Sequence, residues 1–346
     1  MPQTSREIVK DTLTFNYPSR IPREIISLPW AIKRYPKTVK EIETRFPNDI
    51  CGVDYFYPTS PRVKGKENEI GKYTDEWGCE FVNILDGMMG EVKKPILKEL
   101  SDWKSIKPPY EWLPTDFDKV KEITKKFCAE TDKFVRANCI PRPWERYQFI
   151  RGTENAMMDC VVQDDDFFNL LNTIHQFYLK EFEMWAKTDV DGLMFMDDWG
   201  SQNSLLISPK LWREIFKPLY KEYCDIAHTN NKFVFMHSDG YIIDIYEDLI
   251  EIGVDAINSQ LFCMDIEEIG RRFRGRITFW GEIDRQNVLP SKDPKIGRQA
   301  VQKFAKNLYD PNGGIIDQFE FGLDVNPETA IAVLEEWEKV NKRYLL

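Results

Sequence analysis

Short apolar runs alternate with amphipathic stretches along this chain, most clearly from residue 130 onward. FVRANCI (134–140), VDGLMFMDD (190–198), KFVFMH (232–237), VDAINSQ (254–260), RITFWGEID (276–284) and IIDQFEF (315–321) read as strands. Between them lie helical patterns. One spans RGTENAMMDCV near 151–161. A stronger one spans 164–187, where Phe167, Leu171, Ile174, Tyr178 and Trp185 share a face and an acidic start suits the helix N-terminus. Ser208-Pro209 opens another helix, which Pro218 should kink or end. IIDIYEDLIEIG closes at Gly253, DIEEIGRRF and DPKIGRQAVQKFAKNLYD follow, and Asn326-Pro327 opens the last helix.

Strand–helix alternation with right-handed crossovers builds a parallel sheet. An open doubly wound sheet and a closed barrel both fit. No GxGxxG and no Walker loop occurs, which weakens the nucleotide-binding open sheet. The expected fold is therefore an α/β (β/α)8 TIM barrel with an N-terminal helical extension. Residues 1–346 form one barrel domain in this reading, with 1–50 a helical segment packed on it. ICGVDYFYP (50–58) is a strand candidate, and YTDEWGCEFVNILDG (73–87) reads as an extended insertion or hairpin.

Composition narrows the partners. The chain has 346 residues and a net charge of −10, so it lacks the concentrated positive charge that nucleic acid or an anionic membrane surface needs. No signal-peptide core and no apolar run of about 18 residues is visible. The 7 cysteines are scattered without a CxxC pair. These features point to a cytoplasmic chain with reduced thiols.

In a barrel of this kind, chemistry sits at the C-terminal ends of the strands. There the sequence places Asp197 and Asp198, His237 with Asp239, Gln260 with Cys263, Glu282 with Asp284, and Glu320. Each has a plainer reading. Asp239 and Asp284 can cap the next helix, Asp198 can hold a turn, and Cys263 can be a small buried residue. Cys224, His175 and His228 fall within helical patterns and read as structural. His237 ends a nearly pure apolar run, so it should point into the barrel mouth. With Glu282 and Glu320 it makes a three-ligand set suited to zinc with an open fourth position. Trp199, Phe262 and Trp280 stand beside the strand ends, either as upper-barrel packing or as walls for an aromatic ligand.

At these residues the chain resembles the uroporphyrinogen decarboxylase-like barrels, and more narrowly their corrinoid-dependent methyltransferases. The similar stretches are YTDEWGCEFVNILDGMMGEVKKPIL (73–97), ERYQFIRGTENAMMD (145–159), FMDDWGSQNSLLISPKLWREIFKPLYKE (195–222), FMHSDGYIIDIYEDLIEIGVDAINSQ (235–260) and ITFWGEIDRQNVLP (277–290). The resemblance implies a barrel with a deep C-terminal cleft, and zinc held by a His-x-Cys and a later cysteine. Here His237 matches the histidine, Asp239 stands in the first cysteine's place, and no cysteine follows the last strand, where Glu320 is the nearest acid. Glu282 stands where relatives often carry glycine, WGGID there and WGEID here.

The resemblance thus implies methyl transfer from a small O-methylated donor, methoxy-aromatics included, to the cobalt of a corrinoid-binding partner protein. A zinc ion would polarise the leaving oxygen, or Asp197, Asp198 or Asp239 would protonate it. Two readings compete with it. One is a metal-free decarboxylase of the uroporphyrinogen type, against which stands the lack of that enzyme's early arginine-rich run in residues 20–70. The other is a barrel that binds a ligand or partner without catalysis.

Overall fold

The computed structural model describes residues 2–344 apart from 54, 56 and 138. Eight parallel strands form a barrel: β1 Arg23–Ser27, β2 Ile50–Gly52, β6 Phe134–Arg136, β7 Gly192–Met196, β8 Phe233–Ser238, β9 Ala256–Ser259, β10 Thr278–Trp280 and β11 Ile315–Phe321. Their hydrogen-bonded order is β1-β11-β10-β9-β8-β7-β6-β2. The ring is thus the order of the chain, as successive right-handed β-α-β units require. The fold is a (β/α)8 barrel.

Side-chain bonds help join β1 to β2. Asp49 N–H donates to the Arg23 carbonyl at 2.8 Å, and its carboxylate accepts from Arg23 N–H at 2.8 Å. Asn48 bridges both backbone groups of Ile25, at 2.8 and 2.9 Å. Short strands with few ladder bonds leave backbone groups that such side chains satisfy. Segment 1–50 is therefore more than a helical extension. It supplies β1 and helices 29–34 and 36–45, besides helix Ser5–Leu13. That first helix starts with a capping box between Thr4 and Glu7. It sends Val9 and Leu13 into the barrel interior among Ile50, Phe134, Met194, Phe235 and Trp280.

Strand periodicity decides what faces inward. Met194 and Met196, Phe233 and Phe235, Ala256, Trp280 and Ile316 line the interior, while Leu193, Phe195, Val234, Met236, Ile257 and Phe279 pack outward on the helices. One step further along each inward row come Asp198, His237, Asn258, Glu282 and Gln318, so the polar layer at the mouth continues the apolar layers below it.

The helices begin and end where the sequence signals do. Asp164 caps helix Asp165–Ala186 by accepting from Phe167 N–H at 2.8 Å. Ser208 caps Pro209–Ile215, Pro218 lies in the first turn of Lys217–Thr229, and Gly253 ends Tyr246–Ile252 in the left-handed region. Between β2 and β6, residues 71–92 form an antiparallel sheet of β3 Gly71–Thr74, β4 Glu80–Asn83 and β5 Glu91–Val92. This is the inserted hairpin expected at 73–87. The strands expected at 50–58 and 134–140 are short, and Asp54, Phe56 and Asn138 within those stretches lie outside the described residues. Among the described residues, no helix is long and apolar enough to cross a membrane.

Candidate functional site

His237 ends the inward row of β8, with its side chain 14% exposed. Its Nδ1 is bonded to Asn258 Oδ1, the facing residue on β9. Asn258 is itself fixed, because its amide donates to the Trp280 carbonyl and to Gln318 Oε1, the latter at 3.0 Å. An amide that donates on one side must accept on the other, so His237 carries a proton on Nδ1. Nε2 is left to face two carboxylates, Asp239 Oδ1 at 3.4 Å and Asp198 Oδ1 at 3.6 Å.

Backbone geometry holds the two aspartates together. Asp239 N–H donates to Asp198 Oδ1 at 2.9 Å. Gly240 has a φ of 79°, and a β-carbon there would sit on the Gly200 carbonyl, so the loops after β7 and β8 touch backbone to backbone. Gly240 N–H donates to Gln260 Oε1 at 3.1 Å, which ties in the loop after β9.

Charge in this group is unevenly shared. Burial works against a charged His237, yet Asp239, then Asp198 and Asn258, push its pKa up to about 10. Asp239 is held below the usual carboxylate range: burial opposes this, but His237 and Arg285 prevail. Burial and the neighbouring Asp239 charge raise Asp198. Asp198, His237 and Asp239 also offer one ligand atom each within 4.8 Å of one another, and among the described residues they form the one such group of three.

Arg285, from the loop after β10, anchors the other side of the mouth. It donates to Asp239 Oδ2, pairs with Glu320 at 3.0 Å and stands 3.6 Å from Glu282. Glu282 is 2% exposed and neither carboxyl oxygen has a hydrogen bond. Burial foremost lifts it to about 8, with Arg285 opposing and Asp239 and Glu320 adding to the rise. Beside it, a cavity of about 230 Å³ opens between the loops after β7, β9 and β10.

The structure sorts the residues expected from sequence. Asp198 and Asp239 flank His237. Asp197 falls on the outward parity and is fully buried. It accepts from Trp144 N–H at 3.0 Å, Glu145 N–H at 2.7 Å and Tyr220 Oη–H at 2.7 Å, capping helix Pro143–Arg151. Its carboxylate is committed to this cap and turned away from the mouth. The expected ligand set of His237, Glu282 and Glu320 does not form one coordination group, because the Arg285 guanidinium pairs with both glutamates; the aspartates take their place around the histidine. Trp199 packs in the core, stacked on Trp144 at 5.1 Å between centroids. Trp280 lies one layer below the mouth, under the Arg136 guanidinium at 4.7 Å. Phe262 does line the cavity. Asn258, Arg285, Gln318 and Glu145 were not anticipated. Counting alternate residues along the strands reaches Asn258 and Gln318 and separates Asp198 from Asp197. Glu145 comes from a helix start, where burial first and then the Asp198 charge raise it, and only tertiary structure brings it near.

A family model described as Uroporphyrinogen decarboxylase (URO-D) matches residues 74–344. The chain belongs to the uroporphyrinogen decarboxylase family. The matched span runs from the inserted sheet to the final helix and so carries both loops of the histidine–aspartate group. Over its whole length this family member is similar to a methyltransferase from Methanosarcina mazei, at 12% identity, a TM-score of 0.70, and coverage of 98% of this chain and 99% of that one. At that identity the likeness establishes the shared barrel. A native xylanase 10B from Thermotoga maritima aligns at 11% identity and a TM-score of 0.43, covering 98% and 99% of the two chains. None of the curated proteins compared matches the sequence.

Proposed function

We propose that this family member is a methyltransferase that moves a methyl group from a small O-methylated donor to the cobalt of a corrinoid carried by a partner protein. The observation that carries the reading is the Asp198–His237–Asp239 group, with an oriented Nε2 between two carboxylates, one of them bonded to the Arg285 that lines the cavity. Breaking an O–CH3 bond leaves an alkoxide or phenoxide, which needs positive charge or a proton at that oxygen.

The residues present fit a divalent cation. Asp239 Oδ1 is buried without a hydrogen bond, and Asn258 fixes the tautomer that leaves His237 Nε2 free to ligate. One imidazole nitrogen and two carboxylate oxygens suit zinc or a harder divalent ion, in contrast to a thiolate-rich site. Asp198, His237 and Asp239 would hold such an ion, which would supply Lewis acidity at the leaving oxygen. The chain's own groups do the rest. Asn258 orients the imidazole, Arg285 keeps Asp239 ionised, and the loops around the cavity hold the donor. A protonated His237 offers the second route, an Nε2–H aimed between the aspartates. A corrinoid partner would dock over the barrel mouth, where the group stands at the strand ends.

Metal-free decarboxylation, for which the family is named, fits the mouth less well. Asp198, Asp239, Glu282 and Glu320 stand around the guanidinium of Arg285, which is already paired. A tetrapyrrole with many carboxylates would meet like charge there.

The test combines metal content with turnover. Protein purified without chelator should contain or bind about one zinc per chain, and His237→Ala should lower methyl transfer to a free corrinoid roughly 100-fold or more. Folded protein that neither binds zinc nor loses transfer with His237→Ala overturns the proposal.

A further inference from the structure

Glu282 is the least satisfied polar group at the mouth. A carboxyl that is 2% exposed with both oxygens lacking hydrogen bonds costs stability, and native structures rarely keep one without a use. Arg285 Nε, at 3.6 Å from Oε1, is too far for a hydrogen bond, and the two terminal guanidinium nitrogens are committed to Asp239 and Glu320. Glu282 forms part of the wall of the 230 Å³ cavity, together with Gln202, Gln260, Gln286, Asn287 and Phe262.

The rest of that wall indicates what enters. Four carboxamides recognise hydroxyl and carbonyl groups without calling for charge. Gln202 Nε2 and Gln286 Oε1 are 3.3 Å apart, a weak bond across the rim that a ligand can replace. Phe262 adds a flat apolar face. Asp284 also lines the cavity but is occupied by its own turn, accepting from Gln286 N–H at 2.8 Å and Asn287 N–H at 2.9 Å. Cys263 donates its thiol to the Gln260 carbonyl at 3.1 Å. Glu282 alone among these acids keeps an unused hydrogen-bonding capacity, and the Asp239 and Glu320 carboxylates nearby disfavour an anion.

We infer that this cavity is the methyl-donor subsite and that Glu282 recognises there a neutral ligand bearing a free hydroxyl, which donates into the gap between Glu282 and Arg285. The inference rests on the proposed methyl transfer for the word donor, and on the cavity alone for the ligand class. Carboxylate ligands are disfavoured. An analogue whose hydroxyl is capped by a methyl group loses the bond and leaves Glu282 unsatisfied.

The test is calorimetric titration of the full chain, without corrinoid or added metal, with three probes of similar size: 2-methoxyphenol, 1,2-dimethoxybenzene and 2-methoxybenzoate. 2-Methoxyphenol should bind about tenfold or more tighter than either of the others, the effect of one buried hydrogen bond to a carboxyl. Glu282→Leu should bring the phenol and its methyl ether to equal affinity. Glu282→Gln keeps the side-chain volume and one acceptor, so it protects the test if the leucine variant fails to fold; in it the preference should narrow at least threefold. Equal binding of phenol and ether by the unaltered chain, no binding of the phenol, or an unchanged preference in folded Glu282→Gln overturns the inference. Because binding is read without methyl transfer, its failure leaves the transfer reading to its own zinc and His237→Ala test, and the converse holds as well.

Discussion

Replacing Asn258 with leucine removes a side chain that is 3% exposed and joins three strands. Leucine fills similar volume but cannot hydrogen-bond. His237 Nδ1, the Trp280 carbonyl and Gln318 Oε1 each lose a partner. At about 1 kcal/mol net per lost buried bond, the variant should be less stable by roughly 3 kcal/mol. A second effect follows from orientation. Without an acceptor at Nδ1 the imidazole is free to rotate and to change tautomer, so Nε2 no longer stands fixed between Asp198 and Asp239. Loss of such a supporting bond typically weakens metal binding about 10- to 100-fold. Urea unfolding measures the first effect and calorimetric zinc titration the second, with nitrogen-15 histidine spectra reporting the tautomer. A folded variant that loses less than about 1 kcal/mol and binds zinc like the parent would refute the argument that Asn258 sets the histidine.

Two further outcomes are expected. Burial foremost raises Glu181 to about 7, against the hydrogen bond from Tyr57; between pH 4.5 and 7 the folded chain therefore holds a proton that the unfolded chain has released, and stability falls as pH rises through that window. Glu181→Gln should flatten this dependence and stabilise the chain at pH 8 by up to roughly 3 kcal/mol, measured by urea unfolding at pH 5 and 8, and an unchanged slope counts against the buried charge. Gly240→Ala should lower stability by about 2 kcal/mol or more and weaken zinc binding, because the added carbon meets the Gly200 backbone at a left-handed φ; a fully stable variant with parent zinc affinity would show that the two loops are free to part.

Much of this architecture was legible in the chain. Caps, prolines and Gly253 mark helix ends because the backbone chemistry there is local. The late strands announce themselves because they are buried on both faces and so read as nearly unbroken apolar runs. β1 was not legible. REIIS carries Arg23 and Glu24, whose charges are neutralised only in the folded state, by Asp317 and Arg136. β2 was expected within 50–58 but is three residues long, and the Asn48 and Asp49 side chains that tie it to β1 leave no periodic signal. At the site, the loops were legible but the ligand grouping was not. Position after a strand does not say which way a side chain points. Alternation would have turned Asp197 into the helix and Asp198 into the mouth. The role of Arg285 needs three dimensions, since its partners lie 46 and 35 residues away, in the loop after β8 and on β11.

The seam between β1 and β11 has a consequence for how the chain is made. Its register pairs Arg23 with Asp317, and their side chains bond at 2.7 Å across 294 positions. Helix Ser5–Leu13 is likewise held from the far end, where Gly314 N–H donates to the Thr12 carbonyl at 3.0 Å. Both early segments are therefore completed by late ones. Until β11 is made, β1 presents an unpaired edge and the ring stands open between β1 and β10, an interval in which nascent chains are prone to misassociate. Closure couples the polar mouth to a strand made after it: removal of β11 should abolish the site even though Asp198, His237 and Asp239 all precede it.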